Sequence, residues 1–254
     1  MRSPLVGLSV LVTRPRERAG ALIERLTAVE ARPVACPVIE IQPLPWDGAR
    51  DAGRYDVVIF TSPAAVQHGS DGMDLRGTFE VAGVGPATTA ALCERGFGVT
   101  VEPIGSNDSE GLLAHPAMAA DRVSGRHVLI VRGEGGRGLL GDVLVARGAA
   151  VDYAETYRRA RPAGPLPAEA AGCDVITVTS NEGVTNLLDM IEPSNRARML
   201  GRPLVVVSER GAAAAREAGF SGPIAVAGGA DSRSIVTAAE RLVISPSQGK
   251  TGSA

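Results

Sequence analysis

A chain of 254 residues, 44% of them hydrophobic and 21% charged, is long enough to bury one large core or two ordinary ones. Its net charge of −2 and 3% aromatic content offer neither the basic surface nor the stacking side chains that non-specific nucleic-acid binding draws on. No apolar run approaches the ~18 residues of a membrane span, and the three scattered cysteines, Cys36, Cys93 and Cys173, suggest neither a disulfide framework nor a zinc site. The expectation is a soluble protein of a reducing cytoplasm, without a nucleic-acid or membrane partner.

The first segment, MRSPLVGLSVLVTRP, follows its apolar run with arginines and not with a small-residue cleavage site, so it reads as a first strand. Strand-length apolar runs then recur as DVVIF, EVAGV, HVLIV, DVITV and PLVVV. Most are followed by helical spacing, as at Ala21, Leu22, Arg25 and Leu26, or Leu139, Leu140, Val143 and Leu144. Continuous apolar strands alternating with helices predict an α/β fold of parallel sheets covered on both faces.

The chain also repeats itself. VLVTRPRERAGALIERLTAVEA from Val10 matches VLIVRGEGGRGLLGDVLVARGA from Val128 at a constant spacing of 118 residues, as from Arg14 to Arg132 and from Leu26 to Leu144. The phrase YDVVIFTSPAAV returns at that spacing as CDVITVTSNEGV, carrying Ser62 onto Ser180. A looser third module aligns VAGVGPATTAAL from Val81 with VVVSERGAAAA from Val205. Two flavodoxin-like sheets follow from this, with binding expected where strand ends meet. PVIEIQPLPW and YAETYRRARPAGPLP interrupt the alternation in corresponding positions and read as extended connectors. The tail SPSQGKTGSA is small and polar, and is expected to be disordered.

Several residues carry candidate chemistry. Ser62 and Ser180, each after a threonine at a strand end, either cap the helix that follows or bind an anion together with its first amides. Arg14 and Arg132 at strand ends, with Arg16, Arg18 and Arg137 on the following first turns, either fork carboxylates or form a solvated face. In GVGPATTAAL, Pro86 opens a helix and Thr88 is either structural or a polar ligand contact. GEGGRG lacks the dinucleotide fingerprint, and there is no Walker lysine, although its glycines would let amides approach a negative ligand. His68, His115 and His127 fall into no triad or metal spacing and read as structural or exposed. No metal and no cofactor is expected.

Taken together, VLVTRPRERA, YDVVIFTSPAAV, VAGVGPATTAAL, VLIVRGEGGRGLL, YAETYRRARP and DVITVTSNEGV resemble the uroporphyrinogen-III synthase family over nearly the whole chain. The resemblance implies two flavodoxin-like domains joined by a two-stranded β-ladder, with an active-site cleft between them. Domain 1 would hold 1–38 plus 168–254 and domain 2 would hold 44–156, with 39–43 and 157–167 as connectors and 245–254 as the disordered tail. It further implies a cofactor-free monomer in heme, siroheme and cobalamin biosynthesis. That enzyme cyclises hydroxymethylbilane, an anionic linear tetrapyrrole, with inversion of ring D through a spiro intermediate and release of water.

On the family's pattern Tyr157 is the proton donor to the leaving hydroxyl, the alternative being a connector tyrosine that packs. A tyrosine, ordinarily titrating near pKa 10, carries its proton at neutral pH. Arg14, Ser62, Thr88, Arg132, Ser180 and Ser208 would bind the substrate. The third module departs from the pattern, since the threonine expected in its second copy falls on Gly211 or Ala212, leaving backbone amides or Ser208 to bind there. Two other readings stand beside the synthase: a non-catalytic tetrapyrrole-binding or regulatory protein that retains the fold, and a small-anion binder of the periplasmic type.

Overall fold

The computed structural model describes residues 2–47, 53–71, 73 and 80–244, so the tail at 245–254 lies outside the described residues. In the first part of the chain come β1 (Ser9–Val12), α1 (Arg16–Ala28), β2 (Arg32–Ala35), β3 (Glu40–Pro43), β4 (Val57–Phe60) and α2 (Pro63–Gly69). They are followed by β5 (Glu80–Gly83), α3 (Pro86–Glu94), α4 (Ser109–Leu113), α5 (Ala120–Val123), β6 (His127–Gly133), α6 (Leu139–Ala146) and β7 (Ala150–Ala160). The last part holds α7 (Ala168–Ala171), β8 (Val175–Thr177), α8 (Asn181–Met190) and α9 (Pro193–Leu200). It ends with β9 (Leu204–Val206), α10 (Glu209–Glu217), β10 (Ile224–Val226) and α11 (Ser232–Ile244).

These elements form two five-stranded sheets, ordered β10-β9-β8-β1-β2 and β3-β7-β6-β4-β5. Contacts divide the chain into two compact units, one running up to Glu40 and resuming at Ala160, the other comprising Ile41–Arg159. Each sheet is apolar on both faces, as continuous hydrophobic strands require. In the first, Leu11, Ile176, Leu204 and Val206 pack on one side with Leu187 and Ala215, while Val10, Val12, Val175 and Val205 pack on the other with Leu22, Leu26 and Ile235. In the second, Val57, Ile59, Val128 and Ile130 meet Leu140 and Leu144, and Val58, Phe60, Leu129 and Val131 meet Val66 and Leu92.

The 118-residue repeat is visible in the strand register. Ser9 pairs with Arg32 and Val10 with Val175 in one sheet; His127 pairs with Ala150 and Val128 with Val57 in the other. Every one of these partners is its counterpart shifted by 118, yet the copies are exchanged: β1 and β2 of the first copy join β8 to β10 of the second, and β4 and β5 of the first join β6 and β7 of the second. The third module keeps the logic with a different spacing, because Val58 opposes Val81 whereas its counterpart Ile176 opposes Leu204. Leu204, not Val205, is therefore the repeat counterpart of Val81, and Gly211 corresponds to Thr88.

The acid that begins each repeated phrase closes a strand pair. Asp56 Oδ2 accepts the His127 amide at 2.8 Å, and Asp174 Oδ2 accepts the Ser9 amide at 2.9 Å and its hydroxyl at 2.7 Å. Those bonds, the Ser9 hydroxyl first, hold the Asp174 carboxyl below its ordinary range. A depressed carboxylate stabilises the fold above its unfolded value, ordinarily near 3.9, and that stabilisation is lost as pH falls through the folded value. Asp174 has a side chain 36% exposed, so screening trims the contribution. We expect Asp174→Ala to cost about 1–2 kcal/mol at pH 7. The difference in urea midpoint between parent and variant should close as the buffer is taken below about pH 4; a gap that persists unchanged in acid would rule this account out.

Candidate active site and its relatives

Tyr157 is one of the strand residues of β7, which runs on to Ala160. Its orientation comes from a register shift. Arg132 pairs with Glu155, but the next residue, Gly133, pairs with Tyr157, which leaves Thr156 as an additional residue. Such a shift turns the following side chain relative to regular alternation. Thr156 is fully buried, while Tyr157 is half-buried with its ring over Gly133. A methyl group on Gly133 would lie 2.6 Å from the ring's Cζ, so only glycine leaves room for it.

Two groups flank the tyrosine. Ser62 Oγ lies 3.0 Å from Tyr157 Oη and accepts the Ala65 amide at 3.1 Å as the cap of α2. The His68 ring, one turn and more along α2, is centred 6.2 Å from the tyrosine ring. His68 reads in the sequence as structural or exposed; nothing in its spacing marks the contact, which depends on tertiary packing.

Tyr157 lines a cavity of about 350 Å³ within this unit, near the small end of the ~300–1,000 Å³ typical of ligand sites. Thr61, Arg132, Glu134, Arg137, Tyr153 and Arg159 line it as well, so arginines outnumber acids there. Of these the sequence had singled out Arg132, Arg137 and the threonine beside Ser62; Tyr153, Glu134 and Arg159 carry no local signal. Arg132 is already engaged, its side chain only 14% exposed, with Glu155 at 3.2 Å and the Tyr153 ring 4.5 Å from its Cζ. Its buried Nε has no partner among the described residues, which leaves a donor unmet. Arg137 is not on a helical turn: the glycine-rich loop delays α6 to Leu139, so Arg137 rides on the loop.

The other unit has a smaller cavity of about 210 Å³, lined by Thr179, Ser180, Asn181, Ser208, Arg210 and Gly211 among others. Ser180 caps α8 by accepting the Gly183 amide at 3.0 Å, and Ser208 caps α10 by accepting the Gly211 amide at 3.1 Å. Two helix starts thus open onto one space, and their free amides favour an anion. Ser62 and Ser180 are caps, and in this unit Ser180 also borders a cavity.

Of the predicted contacts, Ser62, Thr88 and Arg14 line neither cavity, although Ser62 reaches one through Tyr157. Thr88 is 2% exposed, donates to the Val84 carbonyl at 3.0 Å and lines neither cavity. Gly85, with φ of +91°, makes the turn before it where Ser208 makes the corresponding one in extended backbone. Arg14 donates to the Ala230 carbonyl; burial first and Arg18 second lower its pKa, partly opposed by Asp231. It too lines neither cavity. Among the described residues no three His, Cys, Asp or Glu side chains converge as metal ligands would, and no helix is long and apolar enough to cross a membrane.

Comparison with known proteins agrees on one family. The family model described as uroporphyrinogen-III synthase HemD matches residues 20–236. A protein of Salmonella typhimurium named uroporphyrinogen-III synthase is 34% identical over 248 residues, covering 91% of this chain and 99% of its own. Its namesake from Escherichia coli is 31% identical over 247 residues, with the same coverage of 91% and 99%. Among solved structures, uroporphyrinogen-III synthetase from Helicobacter pylori superposes with a TM-score of 0.61 at 14% identity, covering 93% of this chain and 100% of that one. At that identity the likeness speaks to the α/β fold alone.

Proposed function

The chain belongs to the uroporphyrinogen-III synthase family, and from that premise we propose how its residues carry out the family's reaction. The enzyme acts in tetrapyrrole biosynthesis, cyclising hydroxymethylbilane to uroporphyrinogen III with inversion of ring D and release of water. Relatives that bear the enzyme's name across 91% of the chain do not favour a non-catalytic binding protein.

Tyr157 donates its phenolic proton to the terminal hydroxyl of the substrate. As the carbon–oxygen bond breaks, its electron pair leaves with the oxygen, which takes that proton and departs as water. The adjoining pyrrole supplies the electrons that expel it and becomes an N-protonated azafulvene. Closure through the spiro intermediate, reopening and reclosing restore aromatic pyrroles; the carbon that closes gives up a proton, and the phenolate regains one. The observation that supports this role is a half-buried phenol lining an arginine-rich cavity, hydrogen-bonded at 3.0 Å to the serine that caps α2.

The substrate's carboxylates are taken up by Arg132 with its unmet Nε and by the helix starts at Ser180 and Ser208; Ser62, whose hydroxyl is already engaged by the Ala65 amide and Tyr157, has less support as a carboxylate contact. Arg14 and Thr88 have less support, since both are engaged with backbone carbonyls. Segments 1–38 plus 168–254 and 44–156 would act as the two domains of a cytoplasmic monomer, with β3 beside β7 as their ladder. Binding and orientation then do most of the work, because the pyrroles provide the nucleophile.

Freshly generated hydroxymethylbilane given to the purified protein should yield isomer III. Spontaneous closure yields isomer I, so a product consisting only of isomer I, formed at the rate seen without protein, would end this reading.

A further inference from the structure

A serine hydroxyl has one proton to donate and two lone pairs to accept with. In Ser62 one lone pair is spent on the Ala65 amide, which leaves the proton and one lone pair for Tyr157 Oη at 3.0 Å. Capping alone does not explain that contact. The sister serine, Ser180, caps α8 in the same way, but the residue that corresponds to Tyr157 at the 118 spacing is Ile39, which has no hydroxyl. The cap is duplicated, and the phenol contact is found in one copy only.

We propose that Ser62 is a positioning residue for Tyr157: it donates its proton to the phenol oxygen, so that the phenolic proton points away from the serine and toward the substrate. The same bond then stabilises the phenolate left after the proton has gone to the departing hydroxyl. The alternative polarity, with the phenol donating to Ser62, would occupy the proton that the reaction needs. Gly133 beneath the ring fixes the tyrosine's position while Ser62 fixes the direction of its proton. This inference rests on Tyr157 being the proton donor.

The test separates the cap from the donor. Ser62→Asp retains an excellent helix cap but has no proton to give at neutral pH, Ser62→Gly loses the cap at little cost, and Ser62→Thr retains both functions. We expect kcat to fall about tenfold to a hundredfold in the Asp and Gly variants, with KM within about twofold of the parent, and to recover in the Thr variant. Parent-like kcat in Ser62→Asp or Ser62→Gly would overturn the proposal, as would a Thr variant as slow as the Gly one. A ¹⁹F spectrum of protein labelled with 3-fluorotyrosine, its Tyr157 line assigned through Tyr157→Phe, shows which half has failed. A Tyr157 line unmoved by Ser62→Gly refutes the contact itself, whereas a line that moves with kcat unchanged refutes the positioning role and leaves the donor role to be decided by Tyr157→Phe.

Discussion

Tyr157→Phe is expected to lower kcat for isomer III by about 10²–10⁴, the usual worth of a general acid, while KM changes little. The substitution keeps the ring that rests on Gly133 and removes only the hydroxyl that meets Ser62. The lost contact is one part-buried hydrogen bond, about 0.5–1.5 kcal/mol of stability, so the fold should survive. Binding should survive as well, since the carboxylates are held by arginines and helix starts and not by the phenol. What the variant loses is assistance to a poor leaving group, a cost paid only in the transition state.

The chemistry supplies its own internal measurement. Hydroxymethylbilane released slowly from the variant closes spontaneously without inversion, so the ratio of isomer I to isomer III should rise as kcat falls. Initial rates of isomer III under saturating substrate, with the isomer ratio at completion, give both readouts from one experiment. A Tyr157→Phe enzyme within about twofold of the parent would remove the phenol from the mechanism, and the search would turn to the loop Glu134 and Arg137, which border the same cavity.

How much of this could be read beforehand depended on whether the cause was local. Continuous apolar runs such as VVIF announce strands buried on both faces, and β4 is buried at every position. The serines that follow strands announce caps, because capping needs only the next three residues. The 118 spacing announced a duplication, but not the exchange of strands between sheets, since a repeat says nothing about which copy its strands will pair with. Asp56 and Asp174 were visible as a recurring acid, yet their partners, His127 and Ser9, lie 71 and 165 residues away. The displacement of Tyr157 was hidden for a similar reason: no glycine or proline marks Thr156 as the additional residue, and the shift exists only in relation to β6. Thr88 could be read either way, because a threonine in a first helical turn looks the same in sequence whether it faces a ligand or, as here, folds back onto Val84.

Gly133 is where a local reading pointed to the wrong cause and the geometry gives a sharper one. The glycines of GEGGRG suggested room for amides to approach an anion, but at Gly133 the space is taken by the Tyr157 ring, whose Cζ, Cε2 and Oη would lie 2.6, 2.7 and 3.0 Å from an added Cβ. Gly133→Ala should therefore push the ring aside without touching the tyrosine's chemistry. Because the obstructing atoms are the free end of a side chain, the stability cost should stay near 1 kcal/mol, the low end for overpacking. The cost to turnover should be far larger, about a hundredfold, since a displacement of about an ångström breaks both the Ser62 contact and the line to the substrate. Gly136→Ala is the control: it lies on the same loop, but its Cβ would meet nothing closer than the Gly133 carbonyl at 3.4 Å. We expect kcat to collapse in Gly133→Ala and to hold in Gly136→Ala, with both melting close to the parent. Equal activity in the two variants would mean that the position of the Tyr157 ring does not matter to catalysis, and the roles assigned to Ser62 and to the register shift at Thr156 would fall with it.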